Sequence, residues 1–313
     1  MSISDESGGI EMIEHRLTGL VRAPGEFIDT RTLKEKIETP SPQPAGKEIC
    51  AQLKKLRAEI AKENGISLEQ KPCNNTAQCA GTCAACDEEI RLLNHCLLDD
   101  MEECYEDENT IKGKVVRISR MRKDTDGKGI STLVALHGCP IHCAYCLNRA
   151  CRNYDTATEK YTPQELVKVI SIDELYYKNT GGGVVFGGGE PLLQADFIEE
   201  VCEKIIGKYD IRVETSLNVP WEKVRKLLPY VDSWIVDIKD INPSIYKRYT
   251  TCDNAIVLEN LEKLAKSVAK EKIVVRVPRI PGYNKKRDVL RSWLYVKKLG
   301  LKPEVFTYQQ KRF

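Results

Sequence analysis

The chain is 313 residues long, 42% of them hydrophobic, with a formal net charge of +2. That supports a sizeable core in one large or two smaller domains, and a near-neutral balance gives nucleic acid no global attraction. No apolar run reaches the roughly 18 residues needed to span a bilayer, and the acidic opening, MSISDESGGIEMIEH, lacks the basic-then-apolar order of a secretion signal. A cytoplasmic protein is expected. In a reducing compartment thirteen cysteines point to metal binding or reactivity more than to disulfides.

In chain order, residues 1–46 are polar, and TPSPQPAG reads as an extended linker because proline fixes φ and removes a donor. A helix begins near Lys47: Ile49, Leu53, Leu56 and Ile60 share one face, and Gly65 offers a stop. It opens a helical, cysteine-rich module over 47–110, in which the loop KPCNNTAQCAGTCAACDEE carries Cys73, Cys79, Cys83 and Cys86. An acidic helical segment follows, Glu88 to Asn109, whose charges are expected to face water.

From residue 111 to 313 the texture alternates. STLVALHG, GVVFGGG, IRVETS, SWIVDIK, KIVVRVPRI and EVFTYQ are short β-branched runs, separated by segments at helical spacing such as PQELVKVI and ADFIEEVCEKII. Strands buried on both faces by crossover helices read this way. The pattern predicts an α/β fold with a parallel sheet, open or curled into a partial barrel. Functional groups then belong at the carboxyl ends of the strands.

The first of these strands runs into HGCPIHCAYCLN, with Cys139, Cys143 and Cys146 close together. Zinc prefers four ligands, and Cys151 can serve as a fourth; three thiolates in a tight loop also suit an iron–sulfur cubane with one iron left open. One β/α unit later VVFGGGEPLLQ ends a strand with Gly188, Gly189 and Glu190. Glycine there admits close approach of a ligand to the backbone, and the carboxylate can accept bonds from an ammonium group.

Together, CxxxCxxC with Tyr145 before its last cysteine and the following GGEP resemble the radical S-adenosylmethionine (SAM) superfamily. The resemblance implies a partial (β/α)6 barrel and a 4Fe–4S cluster held by Cys139, Cys143 and Cys146. SAM would chelate the open iron and be cleaved to a 5′-deoxyadenosyl radical. The segments DTDGKGIST, VPWEKVRKLLPYVDSWIVDIKDINPSIYKRYT and VVRVPRIPGYN further resemble glycyl-radical-enzyme activating enzymes of the pyruvate formate-lyase activase type, over roughly Gly113 to Asn284. By that likeness Lys239 and Arg276 bind SAM beside Gly188, Gly189, Glu190 and Tyr145, while Glu214 and Asn218 can reach its ribose or ammonium group. Ser131 stands where the signature has a basic residue, Tyr145 where it has tryptophan, and Gln309 near the place of a histidine.

Four thiols in the set Cys73, Cys79, Cys83 and Cys86 match what a second, fully ligated cluster needs, and equally what structural zinc needs. Cys50, Cys202 and Cys252 read as small core hydrophobes, Cys96 and Cys104 as spare ligands, His137 and His142 as local packing. The leading function is hydrogen abstraction from a glycine of a glycyl radical enzyme. The alternative is a peptide- or protein-modifying maturase that uses an auxiliary cluster, and an electron-carrying protein comes third. Partners are then a protein or peptide substrate and a flavodoxin- or ferredoxin-type electron donor, with neither nucleic acid nor membrane.

Overall fold

The computed structural model describes residues 46–70, 84–97, 110–123 and 125–308. Cys73, Cys79, Cys83, Cys104 and Gln309 lie outside the described residues, as do the polar segment 1–45 and the side chain of Cys96.

Each of the apolar runs becomes a strand. The strands are β1 Gly113–Lys123, β2 Ile130–Leu136, β3 Glu159–Tyr161, β4 Gly183–Gly188, β5 Asp210–Thr215, β6 Ser233–Asp237, β7 Ile273–Arg279 and β8 Lys302–Thr307. They form one sheet in the order β3-β1-β2-β4-β5-β6-β7-β8. From β2 through β8 every neighbouring pair is parallel, joined by crossover helices. This is the parallel sheet expected from the runs and the partial (β/α)6 barrel that the resemblance implies. All seven residues of β2 are buried, as a strand covered on both faces requires.

Two strands were not anticipated: β1 pairs antiparallel with β2, and β3 antiparallel with β1. The hairpin between β1 and β2 folds back across the amino-terminal end of the barrel. There Arg122 grips the Asp126 carboxylate at 2.5 and 2.8 Å. The Arg212 guanidinium donates to the carbonyls of Asp126, Lys128 and Gly181.

The helix that opens near Lys47 spans Gly46–Glu63, and Gly65 at φ +69° ends it. A second helix, Ala84–Leu97, takes up the first part of the acidic segment. Both dock on the barrel. Leu53, Ile60, Ala61, Ile90 and Leu93 share a core with Met121, Ile130, Leu175 and Tyr176.

Arg57, fully buried, is the hub of that contact. Its Nε donates to Glu89 at 2.7 Å, Nη1 to the Tyr176 hydroxyl at 2.7 Å, and Nη2 to the Cys86 sulfur at 3.4 Å. Glu89 therefore turns inward, where the sequence alone assigned these charges to solvent. Cys50 and Cys202 are buried core residues, while Cys252 donates its thiol to Pro140 O. Since Ile130 begins β2 and Cys139 follows its end, the docked helices and the CxxxCxxC loop sit at opposite ends of the strands. At 3.3 Å per residue they are roughly 20 Å apart.

Candidate functional site

The three-cysteine loop leaves β2 through His137 and Gly138, the latter at φ +103°. Backbone bonds strap it on two sides. Glu190 N donates to Gly138 O at 2.7 Å, and Gly189 N to Leu136 O at 3.1 Å. On the other side His142 N and Ala144 N donate to Thr250 O and Tyr249 O. Those carbonyls end the helix Pro243–Thr250, whose last turn has no intrahelical partners for them. The loop thus caps a helix and is fixed by it.

Cys139, Cys143 and Cys146 are all part-exposed. They lie within electrostatic reach of one another and of Glu190. Burial pushes the Cys139 thiol up to about 12. Burial also raises Cys143, against the pull of the Lys239 ammonium.

Gly188, at φ +90°, and Gly189 serve the chain itself. A Cβ on Gly188 would lie 2.6 Å from Ala135 Cα, and one on Gly189 would lie 2.1 Å from Gly138 O. The turn thus presses against the cysteine loop. Fully buried, Glu190 accepts from Thr215 Oγ1, from the Ser216 amide and hydroxyl, and from Leu192 N. Burial raises its carboxyl, and those donors oppose the shift. It joins the ends of β4 and β5.

Lys239 follows β6 at φ +55°, a left-handed conformation that costs a non-glycine residue on the order of 1 kcal/mol or more. It is 7% exposed, and its ammonium donates to Asp237 at 2.7 Å and to the Tyr308 hydroxyl at 3.2 Å. Burial works against that charge, but Asp237 and its neighbours hold it well above the ordinary lysine value. The second Asp237 oxygen, Oδ1, is buried with no partner among the described residues. A buried acceptor left open beside a fixed ammonium suits a polar, zwitterionic ligand.

Arg276 lies within electrostatic reach of both Glu214 and Asp237. It donates to Glu214 at 2.5 Å and to Thr125 O at 3.1 Å, joining the strand interior to the closing hairpin. Burial lifts the Glu214 carboxyl and Arg276 opposes it. The Asn218 amide donates to Tyr246 Oη at 3.4 Å and to Asp253 O at 3.3 Å.

Tyr145 donates its hydroxyl to Pro281 O and meets Tyr249 and Tyr283 edge-on, tying the loop to the IPGYN turn. His137 contacts Asn153 O at 3.1 Å. Sequence reasoning passed over Asp237, Tyr249 and Tyr308. Asp237, at a strand end two residues before a candidate lysine, was the readable signal.

Barrel, cysteine loop and GGEP turn define a class, and a radical SAM superfamily profile matches residues 133–294. The chain belongs to the radical SAM superfamily. It is similar to the (2S)-3-sulfopropanediol dehydratase activating enzyme of Klebsiella oxytoca, 31% identical over 51% of this chain and 69% of that protein. It is also similar to the indoleacetate decarboxylase activating enzyme of Tractidigestivibacter scatoligenes, 33% identical over 51% of this chain. The chain spans 52% of the length of that second relative. Among solved structures, Streptococcus suis SuiB bound to the precursor peptide SuiA aligns with a TM-score of 0.46. There the identity is 11%, covering 84% of this chain and 53% of SuiB. Membership implies a 4Fe–4S cluster and SAM. No helix of the described residues is long and apolar enough to cross a membrane.

Proposed function

We propose that this protein activates a glycyl radical enzyme by abstracting a hydrogen atom from the Cα of a glycine in that partner. The observation that carries the reading is the likeness to activating enzymes over the part of the chain that holds the cysteine loop. The donor set fits the implied group: Cys139, Cys143 and Cys146 would hold the cluster through three thiolates, leaving one iron for SAM. When bound, the cluster and SAM supply a 5′-deoxyadenosyl radical.

The chain's own part is positioning and exclusion. The Lys239 ammonium suits the SAM carboxylate, and Asp237 Oδ1 suits its ammonium group. Glu190 holds the ends of β4 and β5 together under the loop. Arg276 and Glu214 pair inside the barrel, within electrostatic reach of Asp237. The hairpin gripped by Arg122 and Arg212 covers the amino-terminal end of the barrel and shields that end from water.

The far-end docking of the helices that bracket residues 71–83 supports this reading over a maturase. A metal held at Cys86 would stand roughly 20 Å from the mouth, a poor place from which to oxidise a substrate radical there. For the set Cys73, Cys79, Cys83 and Cys86 we favour a second cluster of structural or relay use, with zinc as the other outcome of a metal analysis.

The test mixes the anaerobically reconstituted protein, dithionite and SAM with a purified glycyl radical enzyme offered as substrate. An organic radical signal on that partner, with the doublet splitting of a single α-hydrogen, is expected in electron paramagnetic resonance. SAM cleavage without any partner radical, but with modification of a short peptide, would favour the maturase.

A further inference from the structure

The arm that follows the cysteine loop has no role in the chemistry above, yet its surface is unusual. Between Leu147 and Tyr154 runs a single helical turn, Arg149–Arg152. Leu147 is 74% and Tyr154 89% exposed, the two most exposed large hydrophobic side chains among the described residues. The two flank one helical turn, and such open apolar side chains suit a contact with another protein.

Cations lie along the same arm and beside it, Arg117 within electrostatic reach of Cys151. Arg149 and Arg152 sit on the arm, and Lys114, Arg117 and Lys160 on the adjoining edge of β1 and β3. None of the five forms an ion pair with a described carboxylate, although the whole chain carries a net charge of only +2. Lys114 and Lys160 are direct cross-strand partners. Like charges placed opposite one another cost stability, so the fold tolerates a local penalty to keep this face positive. Asp155 and Glu159 are the carboxylates on the same stretch, and Glu159 is engaged by the Tyr161 hydroxyl.

The arm also lies on the cysteine loop. Arg152 Nη1 approaches Cys143 O at 3.5 Å, Arg149 Nη2 approaches Ala144 O at 3.4 Å, and Gly138 N donates to Cys151 O at 2.7 Å. A protein seated on Leu147 and Tyr154 is therefore one residue layer from the cluster ligands. It need not enter the barrel mouth, where Lys239 and Asp237 stand.

We infer that this face docks an acidic one-electron carrier protein. The inference rests on the proposed function. The reduced carrier gives up one electron and is oxidised by one; the cluster takes that electron and is reduced by one, with no bond made or broken. Basic faces speed and orient such encounters, and the attraction weakens with salt. The substrate protein must instead present its glycine at the mouth, on the side of Lys239.

The experiment measures binding of oxidised flavodoxin, an acidic carrier, to the reconstituted protein by calorimetry at several salt concentrations, and in parallel the rate of cluster reduction. For the unaltered protein, affinity falls steeply as salt rises. In the Lys114→Glu/Lys160→Glu variant, binding at low salt is roughly tenfold weaker or worse and the salt dependence flattens. Flavodoxin-driven reduction slows in proportion, while dithionite-driven reduction is unchanged, which also shows that the variant is folded. Tyr154→Ser gives a smaller loss with the salt dependence intact.

Flavodoxin affinity equal to that of the unaltered protein overturns the inference. So does retained affinity with loss of dithionite-driven activation of the protein substrate, which would give the face to that partner. Absence of 5′-deoxyadenosine from the unaltered protein with dithionite would sink the proposed function, a result separate from the affinity measurement.

Discussion

Ser216 donates to one carboxylate oxygen of Glu190 twice, from its hydroxyl at 2.6 Å and its amide at 2.9 Å. With Thr215 on the other oxygen, this places a buried charge as a clasp between β4 and β5. Glu190→Ala strands the Thr215 and Ser216 donors and leaves a cavity. The metal-free protein should lose about 2–4 kcal/mol of stability in denaturant unfolding. Unchanged unfolding would mean that the clasp does not hold the turn.

Gly188 and Gly181 offer a paired test of close approach. Both have positive φ, but Gly181 has nothing within 4 Å of a built Cβ, whereas at Gly188 Ala135 Cα lies 2.6 Å away. Gly181→Ala should cost about 1 kcal/mol from backbone conformation alone. Gly188→Ala should cost several times more in thermal melting, because β2 and β4 must move apart. Equal costs would remove the close-packing account of the GGEP turn.

Lys239 and Arg276 should separate on substitution, although the sequence likeness gave both the same task. Lys239→Met removes a cation whose only described ion pair is to Asp237. SAM affinity by calorimetry should fall by roughly 2–4 kcal/mol. Arg276→Ala leaves Glu214 part-buried without its partner and frees Thr125 O. Stability without ligand should drop by about 2 kcal/mol or more. A stable Arg276→Ala protein with lost SAM affinity would return Arg276 to direct ligand binding.

Much of the barrel was legible because buried parallel strands are written as unbroken β-branched runs, and IVVRVPR or STLVAL can hardly be anything else. The strand GKVVRISRMRK was missed for a physical reason. Only part of it is buried, and arginines and lysines interrupt its apolar residues, so it carries no continuous apolar signal. The cysteine loop could be read because its chemistry resides in residue type and spacing.

What Arg57 does could not be read. Within LKKLRAE it looks like one more solvated helix charge, and its partners Glu89 and Tyr176 are 32 and 119 residues away. The role of Glu190 was half readable: a carboxylate after two glycines suggested a ligand contact, but its buried donors come from the next strand.

Arg57 also decides whether the N-terminal helices form a detachable module. Arg57→Ala leaves Glu89 buried without its partner and should cost roughly 3–5 kcal/mol. Limited proteolysis should then open the segment 46–97 before the barrel. Removing residues 1–110 bares Met121, Ile130, Leu175 and Tyr176, so the truncated chain should aggregate or melt early. A soluble, cooperatively folding truncation would show that the shared core is dispensable.

The central claim is that Cys139, Cys143 and Cys146 hold the cluster that cleaves SAM. The most direct measurement is 5′-deoxyadenosine released by anaerobically reconstituted protein with dithionite and SAM, compared with Cys143→Ala. The unaltered protein should release it, and the variant, left with two thiolates for a cubane, should release none above background. Equal release from the two proteins would contradict the assignment.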